Sequence, residues 1–142
     1  MFNIRVYGIL INEKQEVLVS DEHRFGKAFT KFPGGGMEFG EGFKTTLARE
    51  FKEELQIEVE VGELVYFNDF HQESAFHPKQ QLFSFYYFVH FKDWRSIETN
   101  KQTIPLTEDG EKHRWICLSE ISAANFNFPI DKIVADKLKE SF

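Results

Sequence analysis

Apolar residues recur at every fourth position between residues 43 and 55, which is the spacing of an amphipathic helix. The stripe consists of Phe43, Leu47, Phe51 and Leu55, with Ala48 beside it. A similar apolar face predicts a final helix over residues 130–140, with Pro129 at its start. We expect both helices to pack against a sheet.

Alternation along the chain predicts the strands. The clearest strand covers residues 80–91, where aromatic residues occur on both faces, as in a central strand that is covered on both sides. The other predicted strands are residues 4–12, 16–20, 29–33, 59–70 and 113–118. Polar sequences predict loops at 23–28 and 94–112, and Ser119 is expected to cap a short turn of helix.

The order of these elements predicts the fold class. Strands, a helix, more strands and a final helix fit an α/β fold with a mixed sheet between helices. A chain of 142 residues is long enough for one domain with a substantial core, so we assign residues 1–142 to a single domain. The 17 phenylalanines indicate that this core is rich in aromatic rings.

Three carboxylates lie on one flank of the first predicted helix. At about 100° per residue, Glu50, Glu53 and Glu54 fall together beside the apolar stripe, whereas a solvated acidic face would lie opposite the stripe. Carboxylates crowded at the edge of a core are costly unless a cation neutralises them, and carboxylate oxygens suit Mg²⁺ or Mn²⁺. The pattern therefore favours a metal site, and the alternative is an exposed, charged helix.

The helix is part of a longer pattern with fixed spacing. It reads Gly35, five residues, Glu41, seven residues, Arg49-Glu50, two residues, Glu53-Glu54. Together with residues 32–38, Phe-Pro-Gly-Gly-Gly-Met-Glu, the pattern resembles the signature of the Nudix hydrolases. One position departs from it, because the family usually has Gly where this chain has Gln56.

The resemblance implies a fold and a metal site. The fold would be the Nudix α/β/α sandwich, with the metal helix on one face of the sheet. Glu50, Glu53 and Glu54 would hold Mg²⁺ or Mn²⁺ and act in catalysis, and a backbone carbonyl of Gly34 or Gly35 would be a further metal ligand. The glycines would also let the backbone approach the substrate phosphate at Gly35 closely.

Other residues of the pattern are expected to act through structure. By resemblance, Glu41 and Arg49 form a salt bridge that holds the loop against the helix. Glu38 is either an outer metal ligand or a structural carboxylate. The glycine that Gln56 replaces would end the helix in a left-handed conformation, where glutamine costs about 1 kcal/mol, so we expect a changed helix end and no loss of chemistry. An ordinary turn at residues 55–57 is the alternative to a left-handed end.

Candidates outside the pattern carry weaker signals. In several family members a Glu from a late loop completes the metal site or acts as general base, and Glu111 and Glu108 are the candidates here. Arg24 could hold a terminal phosphate. The alternative for each is a solvated surface charge. The segment 71–77 contains His71, Glu73 and His77, for which a polar loop is favoured over a metal site.

Charge and composition narrow the partners. The net charge of −6 and the lack of a basic run argue against duplex nucleic acid. A single cysteine, Cys117, excludes an intrachain disulfide framework, and its strand context indicates a core residue. No stretch resembles a signal peptide or a membrane span, so we expect a cytoplasmic protein without a membrane partner. A homodimer is left open.

The functional hypothesis combines the pattern of glycines and acids in residues 35–54 with the family resemblance. The protein would be a Mg²⁺- or Mn²⁺-dependent hydrolase that cleaves the diphosphate of a nucleoside diphosphate linked to another group X, such as a nucleotide sugar or a nucleoside triphosphate. The alternative is a nucleotide or nucleotide-sugar binding module that has kept the fold and lost turnover. Retention of Glu50, Glu53 and Glu54 favours the enzyme.

Overall fold

Seven strands and two α-helices make up most of the computed structural model, which describes residues 1–142. The strands are β1 Phe2–Leu10, β2 Glu16–Arg24, β3 Lys27–Lys31, β4 Gly34–Gly36, β5 Glu60–Phe67, β6 Gln81–His90 and β7 Gly110–Cys117. The helices are α1 Phe43–Leu55 and α2 Pro129–Ser141, with short 3₁₀ turns at Trp94–Ser96 and Ala123–Asn125.

The chain divides into two compact units. The first contains Met1–Leu10 and Pro33–Lys92, and the second contains Ile11–Phe32 and Asp93–Phe142. Each unit has its own sheet and one α-helix. The assignment of residues 1–142 to a single domain stays a prediction.

The first unit is built on a four-stranded mixed sheet in the order β4-β1-β6-β5. Strand β6 lies between β1, to which it is parallel, and β5, to which it is antiparallel, so the predicted central strand is confirmed. Helix α1 buries Leu47 and Phe51 completely, and the ring of Phe43 stacks on Phe85 of β6 at 4.2 Å between ring centroids. The apolar stripe of α1 therefore packs on the face of β6 that carries Phe85.

The second unit is built on a three-stranded antiparallel sheet in the order β3-β2-β7. The ring of Phe32, just after β3, stacks on Phe126 at 4.5 Å. Helix α2 begins at Pro129, as predicted, and buries Ile130, Val134 and Leu138. Neither α-helix is long and apolar enough to cross a membrane.

The predicted polar loop at residues 23–28 is wrong. Strand β2 continues to Arg24 and β3 begins at Lys27, so the two form a hairpin whose turn is Phe25-Gly26. Both turn residues have positive φ, 53° and 73°, as the commonest tight hairpin requires. The polarity of these strands misled the interpretation, because their charged side chains pair with each other inside the sheet.

Three other features differ from the sequence predictions: the start of β7, the cap of the 3₁₀ turn and the number of sheets. Strand β7 begins at Gly110, so residues 110–112 extend a strand and do not close a loop. Ser119 does not cap a helix: the 3₁₀ turn begins at Ala123, and Ser122 caps it by accepting the N–H of Ala124. The strands form two sheets, only the first of which is mixed.

Helix α1 ends in a left-handed C-cap at Gln56, so the changed helix end that we expected from the sequence is wrong. Gln56 has φ 56° and ψ 34°, and its backbone N–H donates to the carbonyl of Lys52. The side-chain Nε2 of Gln56 also donates to the carbonyl of Glu53, at 2.8 Å. Glutamine therefore adopts a conformation that favours glycine, and a side-chain hydrogen bond to the helix end offsets part of the cost.

We expect Gln56→Gly to change the free energy of unfolding by less than about 1 kcal/mol, because glycine removes the left-handed strain and also removes the side-chain bond. Gln56→Ala should lose about 1 kcal/mol relative to Gln56→Gly, because alanine keeps the strain without the bond. Denaturant melts of the three proteins measure both differences. Equal stability of the glycine and alanine variants would contradict the strained cap.

Candidate metal centre at helix α1

The glycine strand β4 lies unusually close to β1. Gly34 pairs with Tyr7 and has φ 146°, and a Cβ on Gly34 would come within 2.1 Å of the carbonyl oxygen of Val6. Any side chain at this position would clash with the backbone of β1. Glycine at position 34 is therefore what allows β4 to approach β1 this closely.

The carboxylate of Glu50 rests on the backbone of the next glycine. A Cβ built on Gly35 would lie 2.5 to 2.7 Å from the carboxylate carbon and both oxygens of Glu50. Gly35 is buried, and the Glu50 side chain is only 14% exposed. The glycine thus leaves space for an acidic group beside the peptide planes of β4.

Arg49 links the glycine segment to the helix. Its Nε lies 2.6 Å from Glu41 Oε2, and its Nη2 donates to Glu41 Oε1 at 3.0 Å and to the carbonyl of Gly36 at 2.9 Å. Its Nη1 donates to Glu50 Oε1 at 3.0 Å. One guanidinium therefore binds the loop, the glycine strand and a carboxylate of α1 together.

Glu41 is also bound by neutral donors. Its Oε1 accepts the backbone N–H of Glu38 at 2.9 Å and the hydroxyl of Thr46 at 3.0 Å. Hydrogen bonds from Arg49, followed by the bond from the Glu38 backbone, lower the pKa of Glu41 to about 2. The same bond with Glu41 raises the pKa of Arg49. Both groups are charged at neutral pH.

Negative charge exceeds the positive charge of Arg49. Glu53 Oε2 lies 3.3 Å and Glu38 Oε1 lies 3.7 Å from Arg49 Nη1, in addition to the contacts with Glu41 and Glu50. Four carboxylates thus share a single guanidinium, so the group remains anionic.

The donor set fits a hard divalent cation. Glu50 is mostly buried, Glu54 is half-buried and Glu53 is 58% exposed, so the acids run from the glycine strand toward solvent. Carboxylate and carbonyl oxygens are the ligands that Mg²⁺ and Mn²⁺ prefer. The residual negative charge and the position of the Glu50 carboxylate against the backbone of Gly35 both suit such an ion.

A second charged cluster lies within the antiparallel sheet. Glu22 of β2 is 2% exposed, and its carboxylate contacts Lys31 Nζ and Arg24 Nε, both at 3.1 Å. The hydroxyl of Ser20 donates to it at 2.9 Å. Burial opposes ionisation of Glu22, but Lys31 and the other partners outweigh it and lower the pKa. The carboxylate of Glu22 is therefore ionised, and it is bound by Lys31, Arg24 and Ser20.

Glu111 lies on β7 directly opposite Glu22, not in a loop as the sequence suggested. Its Oε2 accepts a hydrogen bond from Arg24 Nη2 at 3.3 Å. Burial, together with the charge of Glu22, raises the pKa of Glu111. Arg24, predicted to bind phosphate, is half-exposed and ion-paired with both carboxylates.

The remaining candidate residues of the sequence analysis do not form a site together. Glu108 is exposed and lies outside the strands. His71 and His77 are exposed, and Glu73 accepts the backbone N–H of Lys79, so these three do not converge on a common metal position. Cys117, expected in the core, is only half-buried in β7.

Sequence reasoning missed the buried charges of β2. Glu22 and Asp21 are each 2% exposed and point to opposite faces of the strand. Asp21 is bound by Arg114 Nε at 2.7 Å and by the hydroxyl of Thr30 at 2.7 Å. The only signal was that acids continue the alternation of a strand, and it could not reveal their partners, which lie on other strands.

The fold and the site place the chain in a known class. A family model described as the NUDIX domain matches residues 1–137, and the chain belongs to the Nudix hydrolase family. No curated protein sequence matches it.

Solved structures agree with this assignment at the level of fold. The ORF135 protein of E. coli has a TM-score of 0.69 and 19% identity, covering 95% of this chain and 86% of that one. MutT of Methanosarcina mazei Go1 has a TM-score of 0.67 and 18% identity, covering 99% and 94%. MutT of methicillin-resistant Staphylococcus aureus 252 has a TM-score of 0.64 and 22% identity, covering 100% and 98%. The predicted Nudix-like fold class is confirmed.

We expect Glu41→Gln to lower stability at neutral pH and to flatten its dependence on acid. Glu41 titrates at about 2 in the folded protein against an ordinary value of 4.5. Its contribution is therefore present above pH 4.5 and is lost as the pH falls toward 2. Urea midpoints between neutral pH and pH 2.5 measure this loss.

The matched control is Glu58→Gln, because Glu58 is exposed and lies 3.7 Å from Lys52 in a surface pair. Its acid profile should follow that of the wild-type protein. If the Glu41→Gln profile ran parallel to both, the Arg49–Glu41 pair would not stabilise the fold.

Proposed function

We propose that this Nudix protein is a Mg²⁺- or Mn²⁺-dependent pyrophosphohydrolase. It would cleave the diphosphate linkage of a nucleoside diphosphate derivative, of the nucleotide-sugar or nucleoside-triphosphate class. The observation that carries the proposal is the seat of Glu50 on Gly35, inside a group of carboxylates that Arg49 neutralises only in part. Such a site attracts a cation and, through it, an anionic substrate.

The residues have separate roles in this proposal. Glu50, Glu53 and Glu54 hold the divalent ion, and a carbonyl of Gly34 or Gly35 adds a ligand. A bound divalent ion neutralises phosphate charge and lowers the pKa of a bound water. Glu53 or Glu54 accepts the proton of the attacking water, and Glu53, whose side chain is 58% exposed, is the more open of the two.

Arg49 and Glu41 act as positioning residues. Arg49 directs one oxygen of Glu50 by a hydrogen bond of 3.0 Å, and Glu41 holds Arg49 in turn. This arrangement keeps the Glu50 carboxylate beside the glycine backbone. Their expected effect is on the order of the site and its stability, as distinct from contact with the substrate.

Two assignments rest on the sequence alone. Arg24 is proposed to contact a terminal phosphate, which would have to compete with Glu22 and Glu111 for its guanidinium. Glu111 is proposed to act in the reaction as a late carboxylate. The partner is a small nucleoside diphosphate derivative. The cytoplasmic location remains a prediction, and the oligomeric state is left open.

Hydrolysis should require a divalent ion. Nucleoside diphosphate derivatives and nucleoside triphosphates are incubated with the protein, and release of nucleotide products is followed with Mg²⁺, with Mn²⁺ and with excess chelator. We expect cleavage of at least one compound with either ion and none with chelator, because the carboxylates supply no positive charge to the phosphates. Turnover that persists in chelator would exclude the metal mechanism.

Removing one carboxylate charge should abolish most turnover without unfolding the protein. Glu53→Gln and Glu54→Gln keep the side-chain volume, and we expect each to lower kcat by about 100-fold or more. The Glu58→Gln variant, just beyond the end of α1, should retain wild-type activity. Near-normal rates in both Glu53→Gln and Glu54→Gln would show that catalysis lies elsewhere. Thermal melts of the two variants would identify any loss of fold.

A further inference from the structure

A buried histidine lies beside a carboxylate on β7, and the proposed function does not use it. His113 and Glu111 are two residues apart on the strand, so their side chains emerge on the same face of the antiparallel sheet. The imidazole is 7% exposed, and its Nε2 atom makes no hydrogen bond. Buried polar atoms of this kind are rare and call for a specific explanation.

The distance between the two groups is informative. Nε2 of His113 lies 3.8 Å from Oε1 of Glu111, which is too long for a hydrogen bond. Two donors that bind one metal ion at about 2.0–2.2 Å each lie roughly 3 to 4 Å apart. The separation therefore suits two ligands of a common cation.

The charges around the pair agree with this geometry. A neutral imidazole offers a lone pair to a metal ion. Glu111 faces Glu22 across the strand pair, and a cation would relieve the repulsion between these carboxylates. Lys31 is held by Glu22 at 3.1 Å, which offsets its charge.

We propose that His113 and Glu111 form a divalent-cation site with one nitrogen and one oxygen ligand. Water or phosphate oxygens complete the coordination. An imidazole ligand favours Co²⁺ and Zn²⁺ over Mg²⁺, whereas carboxylates and carbonyls alone suit Mg²⁺. The protein therefore binds these transition ions more tightly than its acidic helix would by itself. This site does not depend on the proposed hydrolysis.

The direct test observes the imidazole in the wild-type protein. Protein labelled with ¹⁵N is titrated with Zn²⁺, which is diamagnetic, and the ring nitrogens of the histidines are followed by NMR. We expect the Nε2 resonance of His113 to shift with the first equivalent, while those of the exposed His71 and His77 do not. An unchanged His113 ring while Zn²⁺ binds elsewhere would overturn the proposal.

Calorimetry with variants gives the matching energetic test. His113→Gln should weaken Co²⁺ binding by about tenfold or more and leave Mg²⁺ binding nearly unchanged. His77→Gln is the matched control and should leave both affinities as in the wild type. Equal loss of Co²⁺ and Mg²⁺ affinity in His113→Gln would contradict an imidazole ligand. If the protein hydrolyses a substrate but the His113 resonance does not shift with Zn²⁺, only this cation site is refuted. If the resonance shifts but no compound is hydrolysed, only the proposed function is refuted.

Discussion

The pairing of Arg49 with Glu41 is the interaction on which the candidate centre depends. It spans eight positions of sequence, joins the loop before α1 to the helix itself, and reaches the carbonyl of Gly36 with the same guanidinium. Without Arg49, Glu50 and Glu53 would lose the guanidinium that both contact, and the glycine strand would lose a contact to the helix. Order and electrostatics at this site therefore come from one side chain.

The two charged clusters of the protein differ in how far their charges are balanced. Around Arg49, carboxylates outnumber the single cation, which leaves a charge deficit that a metal can fill. Around Glu22, a lysine and an arginine surround one buried carboxylate, so its charge is balanced within the fold. A balanced buried pair contributes little net stability but is costly to break, because one partner would remain as an uncompensated charge. The first cluster thus suits binding. In the second, the Glu22–Lys31 pair suits the definition of a structure, whereas Glu111 beside it keeps the repulsion that the proposed cation would relieve.

How far the sequence predicts these features depends on how local their causes are. Helix α1 and its apolar face follow from a repeat and a spacing within 23 consecutive residues, so they could be read directly. The hairpin of β2 and β3 could not, because its polar side chains are satisfied by partners such as Lys31 for Glu22, nine residues away. Whether a charged side chain can be buried depends on which residue neutralises its charge, and the linear sequence pattern does not show that partner.

The left-handed end of α1 bears on how distant relatives can be recognised. The position requires a backbone with positive φ, and Gln56 meets that requirement with a side-chain bond to the carbonyl of Glu53 in place of the freedom of glycine. The chemistry of the acids upstream is untouched by this exchange. A sequence pattern that requires glycine at the helix end would therefore fail to detect related chains that have all of the acidic positions. Tolerance there should extend to polar residues that can reach back to the last turn.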